Sequence, residues 1–244
     1  MVKNYKNIPS LRKYVLIKKK KNLRELEQVG VEWARVCSEN RMSYEIDWLG
    51  VPIIQTAEDI ILLQEAVFKV QPDIIIEIGI AHGGGLIFEA SLLELLGGNG
   101  KVIGVDIDIR QHNRKVIESH PLAKRIELIQ GSSTAPETIE KVKKIIPKGA
   151  NALVCLDSDH TKPHVLQELN IYQQFVKPGS YMVVFDTISS DLARMGIAPE
   201  QFFDNGPAEA IAEFLQKNKK FKIDKEFNKF YSSHNWDGYL KRVK

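Results

Sequence analysis

Residues 157–164, which read D-S-D-H-T-K-P-H, hold two acids and two histidines. They follow the apolar run Asn151–Leu156, which is typical of a strand buried on both faces of a parallel sheet. Mg²⁺ prefers carboxylate oxygens and usually takes one or two from a protein, and histidine titrates near neutral pH. We therefore expect Asp157 and Asp159 to offer metal ligands and His160 to act as general base, with helix capping as the alternative.

A further acid, Asp186, follows the next predicted strand, Tyr181–Phe185. The carboxyl ends of parallel strands meet at one edge of a sheet, so Asp186 would lie beside Asp157 if the two strands are neighbours. The sequence thus predicts a metal ion bridging Asp157, Asp186 and the hydroxyl groups of a substrate. Residues 188–207, which have no clear pattern, are expected to contribute substrate recognition or a lid.

A ligand crevice is predicted at Asp73–Gly85, which reads D-I-I-I-E-I-G-I-A-H-G-G-G. The spacing of Glu77, Gly79 and Gly83 matches the acid-first pattern of S-adenosylmethionine sites, whereas the spacing from Gly79 to Gly84 loosely matches a dinucleotide fingerprint. A carboxylate suits the cationic methionine part of S-adenosylmethionine but sits badly beside a pyrophosphate. We therefore expect Glu77, Gly79 and Gly83 to bind S-adenosylmethionine, leaving an NAD-linked oxidoreductase, or a helix-capping Glu77, as alternatives.

Two later strand ends complete the predicted cofactor site. Asp106 ends the strand Lys101–Asp106, where an acid can accept both ribose hydroxyls of an adenosyl ligand. Ser132 and Ser133 follow the strand Arg125–Gln130 and are expected to contact the adenine. Their alternative role is to cap the helix that follows.

The elements that position these residues alternate along the chain, which indicates an α/β fold. We expect a Rossmann-like class I methyltransferase fold with a mostly parallel seven-stranded sheet, helices on both faces and an antiparallel C-terminal hairpin. That hairpin comes from residues 221–227 and 238–243. Residues 1–50 are expected to form an N-terminal helical extension, and residues 51–244 the S-adenosylmethionine-binding domain.

The composition narrows the function. The chain has 244 residues, of which 43% are hydrophobic, and a net charge of +3, which is too small to indicate nucleic-acid binding. The sequence contains no apolar run near the roughly 18 residues of a membrane span, and its two cysteines are far apart, so we expect a cytoplasmic protein. Four lysines at 18–21 are expected to form a solvated helix face or to contact an anionic membrane surface or an acidic lipid-linked substrate. A homo-oligomer is left open.

Five segments together resemble the cephalosporin hydroxylase and rhamnosyl O-methyltransferase family over residues 45–243. They are Trp48–Gln55, Pro72–Gly85, Asp157–Val165, Val183–Thr187 and Asp237–Arg242. The resemblance implies a class I methyltransferase fold that binds S-adenosylmethionine. Several relatives use Mg²⁺ to methylate sugar hydroxyls on natural products or glycolipids.

The resemblance also assigns residues. The family's Asp-x-x-His element falls on Asp157 and His160, as metal ligand and base. Its Glu-Asp pair falls on Phe185 and Asp186, so one expected acidic ligand is missing and Asp159, Thr187 or water is left for that position. We therefore expect an O-methyltransferase, assisted by Mg²⁺, that acts on a hydroxyl of a sugar, glycolipid or natural product. A non-catalytic relative that binds S-adenosylmethionine is the further alternative.

Overall fold

The computed structural model describes residues 22–244, in which helices and strands alternate. The strands are β1 (Asp47–Trp48), β2 (Val51–Pro52), β3 (Ile74–Ile78), β4 (Lys101–Asp106), β5 (Ile126–Gln130), β6 (Ala152–Leu156), β7 (Tyr181–Val184), β8 (Phe221–Ile223) and β9 (Tyr239–Arg242). The helices are α1 (Leu23–Glu39), α2 (Ala57–Val70), α3 (Gly84–Leu96), α4 (Gln111–Ser119), α5 (Pro136–Ile145), α6 (Lys162–Tyr172), α7 (Ser189–Arg194) and α8 (Pro207–Lys217).

Strands β3 to β9 form one sheet in the order β5-β4-β3-β6-β7-β9-β8. The first five are parallel, and β9 is antiparallel to both of its neighbours, β7 and β8. Every residue of β3 and β6 is buried, as the continuous apolar runs predicted. The prediction of a mostly parallel seven-stranded sheet with an antiparallel C-terminal pair is confirmed.

Each face of the sheet is covered by its own hydrophobic core. Ile75, Leu153 and Val183 pack with residues of α2 and α3, whereas alternate residues on the other face pack with residues of α6 and α8. Each fully buried aliphatic side chain contributes about 1.5–3 kcal/mol to the stability of the fold. The central strands therefore hold the edge of the sheet at their carboxyl ends rigidly in place.

Two segments differ from the sequence expectation. The predicted strand 221–227 ends at Ile223, because the Asp224 side chain accepts a hydrogen bond from the Glu226 amide and starts a 3₁₀ turn. Residues 188–207, which had no clear pattern, contain α7 and a second 3₁₀ turn, Glu200–Phe202.

The chain that precedes α2 packs on the main body through both α1 and the β1–β2 hairpin. Gly30 of α1 lies so close to Tyr231 that a Cβ at this glycine would be 2.5 Å from the Tyr231 backbone. The β1–β2 hairpin is held by Trp48, whose Nε1 donates to Ser91 Oγ at 3.1 Å. The domain division at residue 50 stays a prediction, and the lysines at 18–21 lie outside the part of the chain that is described. Between residues 22 and 244 no helix is long and apolar enough to cross a bilayer.

Candidate active site

A cavity of about 460 Å³ lies at the carboxyl ends of β3, β4, β5 and β6. Six residues singled out in the sequence line it, namely Gly79, Asp106, Ser132, Ser133, Asp157 and Asp159. The cavity also contacts Ile107, Ser158 and His164, which the sequence analysis did not assign. The parallel strand ends therefore bring most of the predicted residues to one crevice.

Asp106 is fixed at the end of β4 by backbone amides. Its Oδ2 accepts the Ile80 N–H at 2.8 Å and its Oδ1 accepts the Asp108 N–H at 2.9 Å. A carboxylate has about four lone-pair sites, so each oxygen can accept one more hydrogen bond from a ligand hydroxyl.

The glycine loop is shaped by the close approach of β3 to β6. Gly79 has φ +93°, and a Cβ there would lie 2.1 Å from the carbonyl oxygen of Asp157. Gly83, also with positive φ, is the N-cap of α3, and no side chain caps that helix. Because neither Gly79 nor Gly83 can be replaced without strain, the glycine pattern has a structural cause here.

Glu77 is buried beneath the first turn of α3, close to Gly85. Its Oε2 has no hydrogen-bond partner, and the residue lines a small side cavity of about 40 Å³ together with Gln55, His82 and Asp157. Burial raises the pKa of Glu77 well above its usual range, and the charges of neighbouring carboxylates add to this effect. Glu77 is thus an unpaired buried acceptor beside the crevice, not the helix cap of the alternative interpretation.

Asp157, His160 and Asp186 form a cluster in which one polar atom of each lies within 4.8 Å of the others. His160 Nε2 is 3.3 Å from Asp157 Oδ1 and 3.4 Å from Asp186 Oδ2. Strands β6 and β7 are neighbours, which explains why the two aspartates meet. Asp159 lies outside this cluster and accepts the Thr161 N–H at 2.7 Å.

The electrostatics of the cluster centre on His160. Burial lowers its pKa, but the charge of Asp186 and the hydrogen bond with Asp157 outweigh burial and raise the pKa to about 9. Burial raises the pKa of Asp157 to about 6, even though its hydrogen bond with His160 acts in the opposite direction. The pKa of Asp186 is lowered despite burial, because of the nearby imidazoles of His160 and His234. Without a bound cation, His160 is therefore the positive charge between two carboxylates.

Three residues that the sequence analysis did not assign to the site support the cluster. Gln55 Nε2 donates to Asp157 Oδ2 at 2.8 Å, and His234 Nδ1 lies 3.7 Å from Asp186 Oδ1. The buried carboxylate of Asp59 accepts the backbone N–H of His234 at 3.0 Å and so anchors the C-terminal loop. Gln55 is the last residue of the segment Trp48–Gln55 that resembles the family, so the sequence carried a signal for its role. His234 lies outside all five segments of that resemblance.

The two serines after β5 do not cap the next helix. The N-cap of α5 is Ala135, and the Ser133 hydroxyl instead donates to Glu168 Oε1 at 2.6 Å. The capping alternative is therefore wrong. Both serines face the crevice, as the cofactor prediction requires.

Comparisons with known proteins were consistent with this architecture. The family model described as Rhamnosyl O-methyltransferase/CmcI matches residues 40–243. A rhamnosyl O-methyltransferase of Mycobacterium leprae (strain TN) is 30% identical over 168 residues, which is 68% of this chain and 69% of that protein. One of Mycobacterium bovis (strain BCG / Pasteur 1173P2) is 29% identical over 205 residues, which is 80% of this chain and 77% of that protein.

Solved structures share the fold. A structure of CmcI with Mg and SAM superposes with a TM-score of 0.57 at 19% identity, covering 82% of this chain and 78% of that chain. An O-methyltransferase from Bacillus cereus in complex with SAH gives a TM-score of 0.54 at 16% identity, covering 95% and 94%. The predictions of a class I methyltransferase fold and of an O-methyltransferase are confirmed, and the chain belongs to the Rhamnosyl O-methyltransferase/CmcI family.

Proposed function

We propose that this chain transfers a methyl group from S-adenosylmethionine to a hydroxyl of a sugar or sugar-bearing natural product, assisted by Mg²⁺. The observation that carries the proposal is the position of Asp157. This residue lines the large crevice, lines the small cavity beside Glu77 and belongs to the cluster with His160 and Asp186. The proposed donor site and the proposed cation site therefore have Asp157 in common and lie next to each other. Methyl transfer to a hydroxyl that a metal ion orients requires this proximity.

The residues present fit the donor. The unpaired buried carboxylate of Glu77 suits the cationic amino acid part, Asp106 can accept the ribose hydroxyls, and Ser132 and Ser133 face the base. Gly79 lines the crevice without a side chain, and a Cβ there would meet the carbonyl oxygen of Asp157. A bound S-adenosylmethionine would supply its methyl group to the acceptor oxygen, and its sulfur would leave as the thioether of S-adenosylhomocysteine.

The residues present also fit a divalent cation. Asp157 and Asp186 offer the carboxylate oxygens that Mg²⁺ prefers, and they lie close enough together to share one ion. A cation bound there lowers the pKa of a hydroxyl that it contacts.

His160 is the group that can take the hydroxyl proton. If a cation engaged Asp157 and Asp186, they would stabilise the imidazolium less, so the pKa of His160 would fall from about 9 and Nε2 would become free to accept a proton. Gln55 holds Asp157 through its second oxygen, which fixes the carboxylate that faces His160. Asp59 anchors the loop that carries His234 against Asp186.

The location of the protein is also proposed. Cys37 and Cys155 are both free and buried, which is the usual state of thiols in a reducing compartment and supports the cytoplasmic prediction.

The first test is thermal stabilisation of the protein by S-adenosylhomocysteine and by NADH, each with and without Mg²⁺. A ligand at 100 times its dissociation constant stabilises a fold by about 2.7 kcal/mol. We expect stabilisation by the adenosyl ligand and a further shift with Mg²⁺ that Asp186→Ala abolishes. Asp191→Ala, at an exposed acid on α7, is the matched control and should behave as wild type.

The second test is transfer of label from methyl-labelled S-adenosylmethionine to glycosides with free hydroxyls, rhamnosides among them. Transfer that Asp157→Ala abolishes would support the enzyme. Stabilisation by NADH alone would favour the oxidoreductase, and donor binding without transfer to any glycoside would favour a non-catalytic relative.

A further inference from the structure

Behind the crevice lies a polar cluster of which the proposed methyl transfer uses only Ser133. Its centre is Glu168 of α6, a carboxylate with no exposed surface. Glu168 Oε1 accepts hydrogen bonds from Ser133 Oγ at 2.6 Å and from Ser158 Oγ at 2.7 Å, and it lies 3.0 Å from His164 Nε2. A buried carboxylate needs such donors, and here three of them come from residues that line the crevice.

His164 is the member of this cluster that can face a ligand. Its side chain lines the crevice and is 28% exposed. The ring is oriented by Nε2, which contacts both Glu168 and Ser133. In the chain from residue 22 onward, Nδ1 has no hydrogen-bond partner, so this nitrogen is available to a bound molecule.

The position of His164 relative to Asp106 indicates which part of a nucleoside it would meet. Asp106 and Ile107 lie at the end of β4, whereas Ser133 and His164 lie on the side of the crevice formed after β5 and at the start of α6. Because all four residues line one crevice, a nucleoside whose ribose is held by Asp106 can extend its base toward Ser133 and His164.

We propose that His164 is a specificity-determining residue that recognises the exocyclic amino group of adenine, and that Glu168 positions it. This inference rests on the proposed S-adenosylmethionine site. With Nε2–H donated to Glu168, neutral His164 presents Nδ1 as an acceptor, which matches an amino group and not a carbonyl. Ser158 and Ser133 hold Glu168 in this orientation by donating to the same oxygen, Oε1.

The protonation of His164 gives the proposal a distinctive consequence. The hydrogen bond with Glu168 raises the pKa of His164, burial opposes this, and the charges of Glu168 and Asp159 add to the increase. Protonated His164 carries a hydrogen on Nδ1 as well, and this donor matches the carbonyl of hypoxanthine. Ser133, from the loop after β5, is neutral and does not alter this balance. The preference for adenine over hypoxanthine should therefore increase as the pH rises through the pKa of His164.

The test compares the binding of S-adenosylhomocysteine and S-inosylhomocysteine by calorimetry at several pH values between 6 and 8, where N1 of hypoxanthine keeps its hydrogen. The two ligands differ only in the base, so the ratio of their dissociation constants cancels the titration of Glu77, Asp157 and His160. We expect the ratio to favour the adenosyl ligand about tenfold more at the high-pH end than at the low-pH end. His164→Phe should bind the adenosyl ligand about 5- to 10-fold more weakly and show a ratio that no longer depends on pH.

Two further variants make the test specific. Glu168→Gln should move the midpoint of the ratio to lower pH, which a purely structural role of Glu168 would not do. His112→Phe, at an exposed histidine on α4, is the control and should keep the wild-type ratio at every pH.

The outcomes separate the two proposals. If wild type does not bind S-adenosylhomocysteine, the proposed function falls and this inference falls with it. If wild type binds it but the ratio is independent of pH, or if His164→Phe keeps the wild-type ratio, the role of His164 is overturned while the donor site stands.

Discussion

Binding of a divalent cation to Asp157 and Asp186 should release a proton from His160. In the structure His160 Nε2 lies between the two carboxylates, and they raise its pKa to about 9. At neutral pH the imidazolium therefore occupies the position where positive charge is most favourable. A cation that takes this position must displace the proton, so its apparent affinity should depend strongly on pH.

The size of the effect follows from the pKa of His160. At pH 7 the proton must be removed about two pH units below a pKa of about 9, which costs about 2.7 kcal/mol at 1.36 kcal/mol per unit. The apparent dissociation constant at pH 7 should thus be about 100-fold higher than above pH 9. Between pH 6 and 9 the logarithm of the affinity should rise by about one per pH unit. Below about pH 6 the slope should steepen, because Asp157 then binds a proton as well.

Titration calorimetry with Mn²⁺ in two buffers of different ionisation enthalpy would count the protons released. Wild type should release about one proton per ion at pH 7. His160→Gln should lose this release, whereas His112→Gln, at an exposed position on α4, should keep it. An affinity that is independent of pH between 6.5 and 8.5, or equal slopes for wild type and His160→Gln, would refute the assignment of the cation site to this cluster.

Substitutions at three further positions, Gly79, Asp59 and Glu77, test the rest of the site. Gly79→Ala should cost about 2–4 kcal/mol of stability in urea unfolding and abolish donor binding, because φ is +93° and the new Cβ meets backbone. The control Gly98→Ala, where a Cβ would stand in open space, should cost about 1 kcal/mol. Asp59→Ala should lower the free energy of unfolding by about 2–4 kcal/mol, because the buried His234 N–H and nearby hydroxyls lose their acceptor. Asp59→Asn should lower it by about 1 kcal/mol or less. Equal unfolding free energies for the two variants would contradict this. Glu77→Gln should weaken S-adenosylhomocysteine binding about 10- to 100-fold in calorimetry without loss of stability, and unchanged affinity would mean that the ligand's amino group binds elsewhere.

The parts of the site that follow from strand order could be predicted from the sequence. Continuous apolar runs identified β3 and β6, and the rule that parallel strands end at one edge placed Asp157 near Asp186. The glycine spacing identified the turn after β3, because a side chain at Gly79 would meet the backbone that follows the neighbouring strand β6. This constraint is local, so it leaves a mark in the sequence.

Contacts that depend on the packing of distant segments could not be predicted. Gln55 reaches Asp157 across 102 positions, and His234 is held by Asp59 across 175 positions. The partner of Ser133 is Glu168, which lies 35 positions further along on a helix whose orientation no local pattern reveals. Such contacts arise only after the helices have packed on the sheet, so sequence periodicity carries no record of them.

The balance of charge gives a physical reason for Phe185, where the family resemblance implies a glutamate. The register of β6 and β7 places Phe185 next to Asp157, and its side chain is buried in the core on that face of the sheet. Four buried or half-buried carboxylates already lie on this side of the sheet, at Asp59, Glu77, Glu89 and Asp157. The pKa of each is raised, that of Glu89 to about 8, with burial as the largest cause.

A further glutamate at 185 would be buried among these like charges, and each unpaired buried carboxylate costs folding free energy. Phe185 avoids that cost while Asp157, Asp186 and His160 still present ligand atoms within 4.8 Å of one another. The excess of carboxylates over the imidazoles of His160 and His234 is also what a cationic donor and a divalent ion would neutralise. The excess of carboxylates therefore explains both the raised pKa values and the proposed ligands. The positive charge that the chain does not supply has to come from bound protons, or from the cationic donor and the divalent ion.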